Sequence, residues 1–155
     1  MSQATQGRVP GQTTARARAS DLTGLGAGTL VLTLDGAIPV EHLAPGDRVI
    51  ARSGARPLRR IRARMVQGAF VITPHTLGHD RPEAPVTVGP TQKLLLRDWR
   101  ARALYDRDQA EVAVARLVDG EYIAPAKGAV RLWQLGFDQD EVIYAGGLEV
   151  TIPAA

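Results

Sequence analysis

Short runs of alternating apolar and polar residues, separated by turn residues, make up most of this chain. Alternation with a period of two is typical of half-buried β-strands. Turn dipeptides such as Asp35-Gly36, Gly89-Pro90 and Gly146-Gly147 fall between the runs. We therefore predict strands over residues 30–34, 48–51, 58–66, 69–72, 86–88, 93–96, 111–114, 130–135, 141–145 and 148–152.

Helical patterns are few. Residues 99–105 and 115–118 predict short helical turns, and no repeat of solenoid length is present. Many short strands with little helix predict an all-β domain.

Residues 58–66 alternate most clearly. The pattern predicts one face with Ile61, Ala63 and Met65, and an opposite face with three arginines, Arg60, Arg62 and Arg64. Arginines at alternate strand positions are roughly 7 Å apart and form a basic ridge. Two interpretations follow: the ridge meets an acidic surface, or it keeps an outward face solvated and protects a sheet edge.

The composition is that of one globular domain. The chain has 155 residues, of which 45% are hydrophobic, enough to bury a core.

Residues 1–22 are rich in Gly, Gln, Thr and Arg and lack an apolar segment. We interpret them as a disordered or extended arm carrying Arg8, Arg16 and Arg18, followed by a domain over residues 23–155. We expect a cytoplasmic protein without a transmembrane segment.

Missing residue types exclude several kinds of site. The absence of cysteine excludes disulfides, thiolate metal sites and cysteine nucleophiles, and there is no asparagine. His75 and His79 share a segment with Pro74, Gly78 and Pro82, which predicts a loop and not a helical zinc site. We therefore expect no metal and no other cofactor.

Three motifs follow one another between residues 28 and 54: Gly-Thr-x-Val-x-Thr-x-Asp-Gly, Pro-Val-Glu-x-Leu and Pro-Gly-Asp-x-Val. Their order resembles the opening of a Hint domain, the Hedgehog/intein module. Residues 68–96, 111–120 and 132–147 resemble the later sections of short, stand-alone bacterial Hint domains. The resemblance implies a horseshoe of intertwined β-hairpins over nearly the whole domain.

The same resemblance implies that the self-processing chemistry is lost. Hint domains begin with a Cys or Ser nucleophile, and that position is Gly24 here. A Thr-x-x-His block that protonates the scissile amide aligns with residues 89–92 and ends in Gln92. The closing hairpin carries Gln134 and Asp140 where the family has histidines. We predict that the protein is not an enzyme.

A Hint domain without its catalytic residues is expected to act through binding at its surface. We predict a protein-binding accessory subunit or adaptor of a larger assembly, for example a respiratory-chain complex, on which it would lie peripherally. The arm, the three-arginine ridge and Trp99 are the candidate contacts, and an acidic protein surface is the expected partner. Trp99 has a second interpretation as a packed residue.

Two alternatives remain open: residual autoprocessing, and weak binding of nucleic acid or another polyanion. The net charge of +3 is small for a nucleic-acid-binding protein. A small ligand in the cleft near Gly24, Gln92 and Gln134 is a further possibility.

Overall fold

The computed structural model describes residues 22–77 and 81–154. Over these residues the fold is all-β, as predicted, with strands β1 to β14 in chain order: Leu25–Gly26, Leu30–Thr33, Gly36–Pro39, Arg48–Ala51, Gly54–Pro57, Arg60–Val66, Phe70–Ile72, Val86–Val88, Lys93–Leu96, Ala110–Ala113, Ile123–Pro125, Val130–Gly136, Glu141–Ala145 and Leu148–Ile152. One α-helix, α1 (Trp99–Tyr105), and 3-10 turns at Val40–His42 and Val114–Leu117 complete the described elements.

The strands form two antiparallel sheets in the described part of the chain. The first has six strands in the order β11-β7-β8-β1-β12-β6. The second has the order β10-β9-β14-β13-β2-β4-β5, with β3 paired to β2. Neighbours are often distant in sequence: β1 lies between β8 and β12, so Leu25 pairs with both Val88 and Trp133. The start of the domain is therefore held in the middle of a sheet.

Most predicted strands are confirmed within a residue or two at their ends, and the predicted helical turn at 99–105 is α1. Asp98 begins this helix by accepting the N–H of Arg100 at 3.0 Å. The sequence missed β1, β3, β5 and β11. Each is short or contains proline, so local propensity does not favour a strand and pairing with a neighbour decides it.

The largest core cluster brings both sheets together around fully buried side chains such as Phe137, Ile143 and Val150. A second, smaller cluster contains Val66, Ala69 and Leu132. It lies beside the far end of β6, because Leu132 pairs with Arg64 across the β6–β12 ladder.

Burial along β6 does not simply follow its two faces, because the second cluster contains Val66 at the end of the strand. Met65 is 60% exposed and Ala63 is also exposed, whereas Arg64 is half-buried. The sequence predicted which residues share a face of β6, but not that Ala63 and Met65 are exposed. β6 is at the edge of its sheet, so the main core covers Ile61 but does not extend to the other end of the strand.

In the described ranges, no helix is long and apolar enough to span a membrane. His75 lies in a turn with a φ of 64°, whereas its predicted companion His79 lies outside the described residues. Among the residues the structure describes, no group of three or more His, Cys, Asp or Glu side chains could hold a metal ion.

Candidate functional site

The chain enters the domain through a short segment, residues 22–24, that lies against the loop before β9. The Thr91 N–H donates to the Leu22 carbonyl at 3.3 Å, and the Gly89 N–H donates to the Gly24 carbonyl at 3.0 Å. A Cβ on Gly89 would lie 2.0 Å from the Leu22 oxygen. Glycine at 89 is therefore required by the close approach of the two backbones.

Two glutamine side chains hold the peptide bond between Thr23 and Gly24. The Gly24 N–H donates to Gln92 Oε1 at 3.0 Å, and Gln134 Nε2 donates to the Thr23 carbonyl at 3.3 Å. Gln92 directly precedes β9, and Gln134 lies in β12. One side chain thus holds the nitrogen of this peptide and the other its carbonyl oxygen.

Gln92 is only 2% exposed, and both ends of its amide are used. Besides accepting from Gly24, it donates through Nε2 to the carbonyls of Thr151 at 2.9 Å and Lys93 at 3.2 Å. Because Nε2 is the group of the amide that donates to these two carbonyls, Oε1 is oriented toward the N–H of Gly24. A neutral amide hydrogen-bonds but does not exchange a proton near pH 7, so Gln92 binds this peptide without acid–base chemistry.

Gly24 has no room for a side chain. Its φ is +124°, a backbone conformation that L residues with a Cβ rarely adopt. A Cβ built there would lie 2.9 Å from Leu132 Cβ and 3.1 Å from the Trp133 carbonyl oxygen. The position that the resemblance assigns to a nucleophile is closed by backbone conformation and by packing against β12.

A cavity of about 120 Å³ opens beside this peptide. Its described lining includes Gln92, Gln134 and Trp133, and its charged members are Arg60 and Arg62. The structure therefore brings together three of the four predicted family positions, Gly24, Gln92 and Gln134, and places two of the predicted arginines beside them.

Asp140, the fourth family position, lies apart from that cavity. It lines a second cavity of about 320 Å³ that shares Thr23 and Gln92 with the first. Its Oδ1 accepts the Ala154 N–H at 2.6 Å, so this carboxylate holds the end of the described chain. The buried Thr151 hydroxyl, also in this lining, has no hydrogen-bond partner among the described residues.

The remaining candidate contacts are dispersed. Arg8, Arg16 and Arg18 lie outside the described residues. Trp99 is 69% exposed at the start of α1, with the Arg100 guanidinium 4.7 Å from its ring centroid, and it does not line either cavity. Exposure of this size excludes the interpretation of Trp99 as a packed residue.

Sequence reasoning missed one contact near the start of the domain. Glu41 Oε1 accepts the Gly28 N–H at 2.8 Å, and this hydrogen bond lowers the pKa of the carboxyl group below its ordinary value. Glu41 belongs to the Pro-Val-Glu-x-Leu motif, which was the available signal. It fixes the turn between β1 and β2, and so supports the position of β1.

Comparison with known proteins identifies one domain family, and solved structures that share its fold. The family model described as Hint domain matches residues 23–151. Solved structures with the same fold include the bacterial intein-like domain from Clostridium thermocellum, with 16% identity and a TM-score of 0.60 over 84% of this chain and 97% of that one. The TvoVMA intein has 15% identity and a TM-score of 0.61 over 84% and 97%. The gp41-1 intein has 12% identity and a TM-score of 0.59 over 83% and 97%. None of the curated proteins matches the sequence.

Proposed function

Because this chain belongs to the Hint domain family, we propose that it is a non-catalytic member that serves as a protein-binding accessory subunit of a larger assembly. A respiratory-chain complex is one example, with the protein lying peripherally on the cytoplasmic side. The closed side-chain space at Gly24 carries the first half of this proposal.

Self-processing begins when a side chain at the first domain position attacks the preceding carbonyl. In this chain that carbonyl belongs to Thr23, and it accepts from Gln134. Gly24 supplies no attacking atom, and its φ of +124° disfavours any residue that would. Loss of the nucleophile and loss of its space are two separate obstacles to autoprocessing.

The two glutamines beside the Thr23–Gly24 peptide bind it by hydrogen bonds and do not transfer protons. Gln92 and Gln134 satisfy the N–H of Gly24 and the carbonyl of Thr23, which a functional site would instead distort and protonate. The cleft thus anchors the entering chain, and the function we propose depends on the surface.

The accessory role is supported by exposed side chains that protein interfaces favour. Trp99 is exposed beside Arg100, and Arg60 and Arg62 are exposed at the mouth of the first cavity. Tryptophan and arginine are enriched among the residues that dominate binding energies. An acidic partner surface fits the arginines, since guanidinium groups pair well with carboxylates.

Intact-mass spectrometry tests the absence of chemistry. The purified chain is incubated with excess thiol for several days at neutral pH, and a single species at the full calculated mass is expected. A fragment pair that separates between Thr23 and Gly24 would show autoprocessing and overturn this half of the proposal.

Affinity purification tests the accessory role. The tagged chain is isolated from its own cells in mild detergent, and the co-purifying proteins are identified and quantified. A stoichiometric set of subunits is the expected result. Purification of the chain alone, at endogenous expression, contradicts the accessory role.

Residual autoprocessing is the second candidate, because the similar solved structures include inteins. The mass measurement above separates it from the first. The polyanion alternative predicts an affinity that falls steeply with salt concentration, which a titration with oligonucleotide measures directly.

A further inference from the structure

The strand β6 forms one edge of the six-stranded sheet. It pairs with β12 over all seven of its residues, from Arg60 with Gly136 to Val66 with Val130. On its other side it makes no backbone hydrogen bond within residues 22–77 and 81–154. In an antiparallel pair, alternate residues direct their N–H and C=O groups away from the partner strand. On β6 these outward groups are a template on which another strand can pair.

One face of this edge is cationic. Arg60 and Arg62 are exposed and have no ion pair among the described residues, whereas neighbouring Arg59 is paired with Asp138 at 3.0 Å. Strand geometry separates the two arginines by roughly 7 Å. Both line the first cavity, whose described lining contains no acidic residue. Two guanidinium groups that no described carboxylate neutralises, at the spacing of alternate strand positions, therefore point to an anionic ligand.

The other face of the same edge is apolar. Met65 is 60% exposed, and Ala63 beside it is exposed as well. A strand edge that is only protected from aggregation usually presents charge and avoids exposed apolar groups. β6 instead combines a backbone edge that no described strand pairs with, an arginine face and exposed apolar side chains. In recognition by strand addition, the backbone edge supplies affinity and contacts with alternate side chains supply specificity.

We propose that β6 binds an extended acidic segment of a partner protein as an added strand. The segment pairs its backbone with the free edge of β6. Its carboxylates, at alternate positions, lie opposite Arg60 and Arg62, while the intervening apolar side chains cover Ala63 and Met65. Residues directly opposite in adjacent strands are 4.5–5.5 Å apart at Cβ, close enough for carboxylate–guanidinium pairs. This inference rests on the proposed accessory function and names the chemistry of its partner.

A peptide titration tests the inference on the full chain. The probe is a synthetic nine-residue peptide with glutamate at alternate positions and valine between them, and the matched probe carries glutamine for each glutamate. The glutamate peptide is expected to bind at least tenfold more tightly. Amide hydrogen exchange of β6 in the complex is expected to slow at least fivefold, because backbone pairing protects these N–H groups.

Variants locate the contact. Arg60→Gln combined with Arg62→Gln is expected to weaken binding of the glutamate peptide at least tenfold. Arg131→Gln is the matched control, since Arg131 is an exposed arginine of the adjacent strand that pairs with Met65 and so lies on the sheet face opposite to Arg60 and Arg62. It is expected to change the dissociation constant less than twofold. All three replaced residues are exposed, and thermal unfolding verifies that the variants are folded.

Three results would overturn the inference: equal binding of the two peptides, binding without protection of β6, or no binding at all. Binding of an oligonucleotide at the same arginines in place of the peptide would also overturn it. Affinity purification distinguishes this failure from that of the proposed function. If the Arg60→Gln/Arg62→Gln variant still captures the same subunits as the wild type, the accessory role stands and β6 is not its contact.

Discussion

Gln92 Oε1 accepts the backbone N–H of Gly24 at 3.0 Å, from a side chain that is almost completely buried. The same side chain donates to the carbonyl of Thr151 in β14. One amide therefore joins the first residue of the domain to one of its last strands. The resemblance to Hint domains assigns a proton-transferring group to this position; the side chain found here is a neutral amide that connects the two ends of the domain.

Replacing Gln92 should show how much its hydrogen bonds contribute to the free energy of unfolding. Gln92→Ala removes three hydrogen bonds and leaves the Gly24 N–H buried without its partner, so we expect unfolding to require roughly 2–4 kcal/mol less free energy. Denaturant titration gives the value. Gln134→Ala is the control, because Gln134 is only half-buried, and it should cost less. A loss below about 0.5 kcal/mol for Gln92→Ala would contradict the role assigned to it.

Gly24 and Gly54 form a matched pair for testing the closed nucleophile position. Their φ angles are +124° and +123°, but a Cβ on Gly54 would meet nothing within 4 Å. Gly54→Ala therefore measures backbone strain alone, on the order of 1–3 kcal/mol. Gly24→Ala adds the clash with Leu132 and should cost about 1 kcal/mol more. Equal losses for the two variants would mean that the space beside Gly24 is open.

The same argument predicts the outcome of restoring the nucleophile. Gly24→Cys should not cleave, even in thiol, because the thiol has neither the required space nor a proton-transferring partner at position 92. Intact mass measures the result. Cleavage of Gly24→Cys between Thr23 and Gly24 would show that the site lacks only its nucleophile, and that closure by packing is not an obstacle.

Asp119 should make the stability depend on acid pH. Its Oδ1 accepts the N–H groups of Ile123, Glu121 and Tyr122 at 2.8–2.9 Å, and the hydrogen bond from Ile123 contributes most to lowering its pKa. A carboxyl group whose pKa is depressed in the folded state stabilises the protein above its ordinary pKa. This contribution is lost as the pH falls through the lower, folded-state value.

Denaturant titrations from neutral pH down to about pH 3, the region of an ordinary aspartate pKa, check this dependence. The stability difference between wild type and Asp119→Ala should be largest at neutral pH and shrink in acid. Asp119→Asn keeps an acceptor oxygen without a titrating group, so its own stability should lack this acid-dependent part. A wild-type advantage over Asp119→Ala that grows toward low pH would contradict the assignment.

Substitution of the two tryptophans should affect stability differently, because one lies at the surface and the other packs against the core. Trp99 is exposed, so Trp99→Ala should change the free energy of unfolding by less than about 0.5 kcal/mol. Trp133 packs against the main core, and Trp133→Ala should cost about 3 kcal/mol. If Trp99 is also a partner contact, its variant should lose co-purifying subunits while remaining as stable as the wild type. Similar destabilisation by both variants would show that Trp99 is packed.

Local pattern was sufficient to place most strands. The runs at Arg48–Ala51, Val86–Val88, Lys93–Leu96 and Leu148–Ile152 have the predicted bounds, because side-chain alternation and turn residues act between neighbours in sequence. Resemblance to Hint motifs correctly gave the family, and it singled out Gly24, Gln92 and Gln134, which the fold then brings together. Asp140, the fourth position that the resemblance singled out, lines the second cavity and not the first.

By itself, then, the sequence determined most of the strand positions, the all-β class and the absence of a side chain at position 24. Only the tertiary structure decided that no side chain fits there and that Gln92 and Gln134 hold the peptide from 68 and 111 residues away. It also decided that one edge of β6 has no partner strand among the described residues. It also decided that Met65 is exposed at that edge. The physical reason is that alternation specifies the two faces of a strand but not which residues bury each face. Each face is buried by strands that are distant in the chain, and the packing of the sheets decides how far along the strand that burial extends.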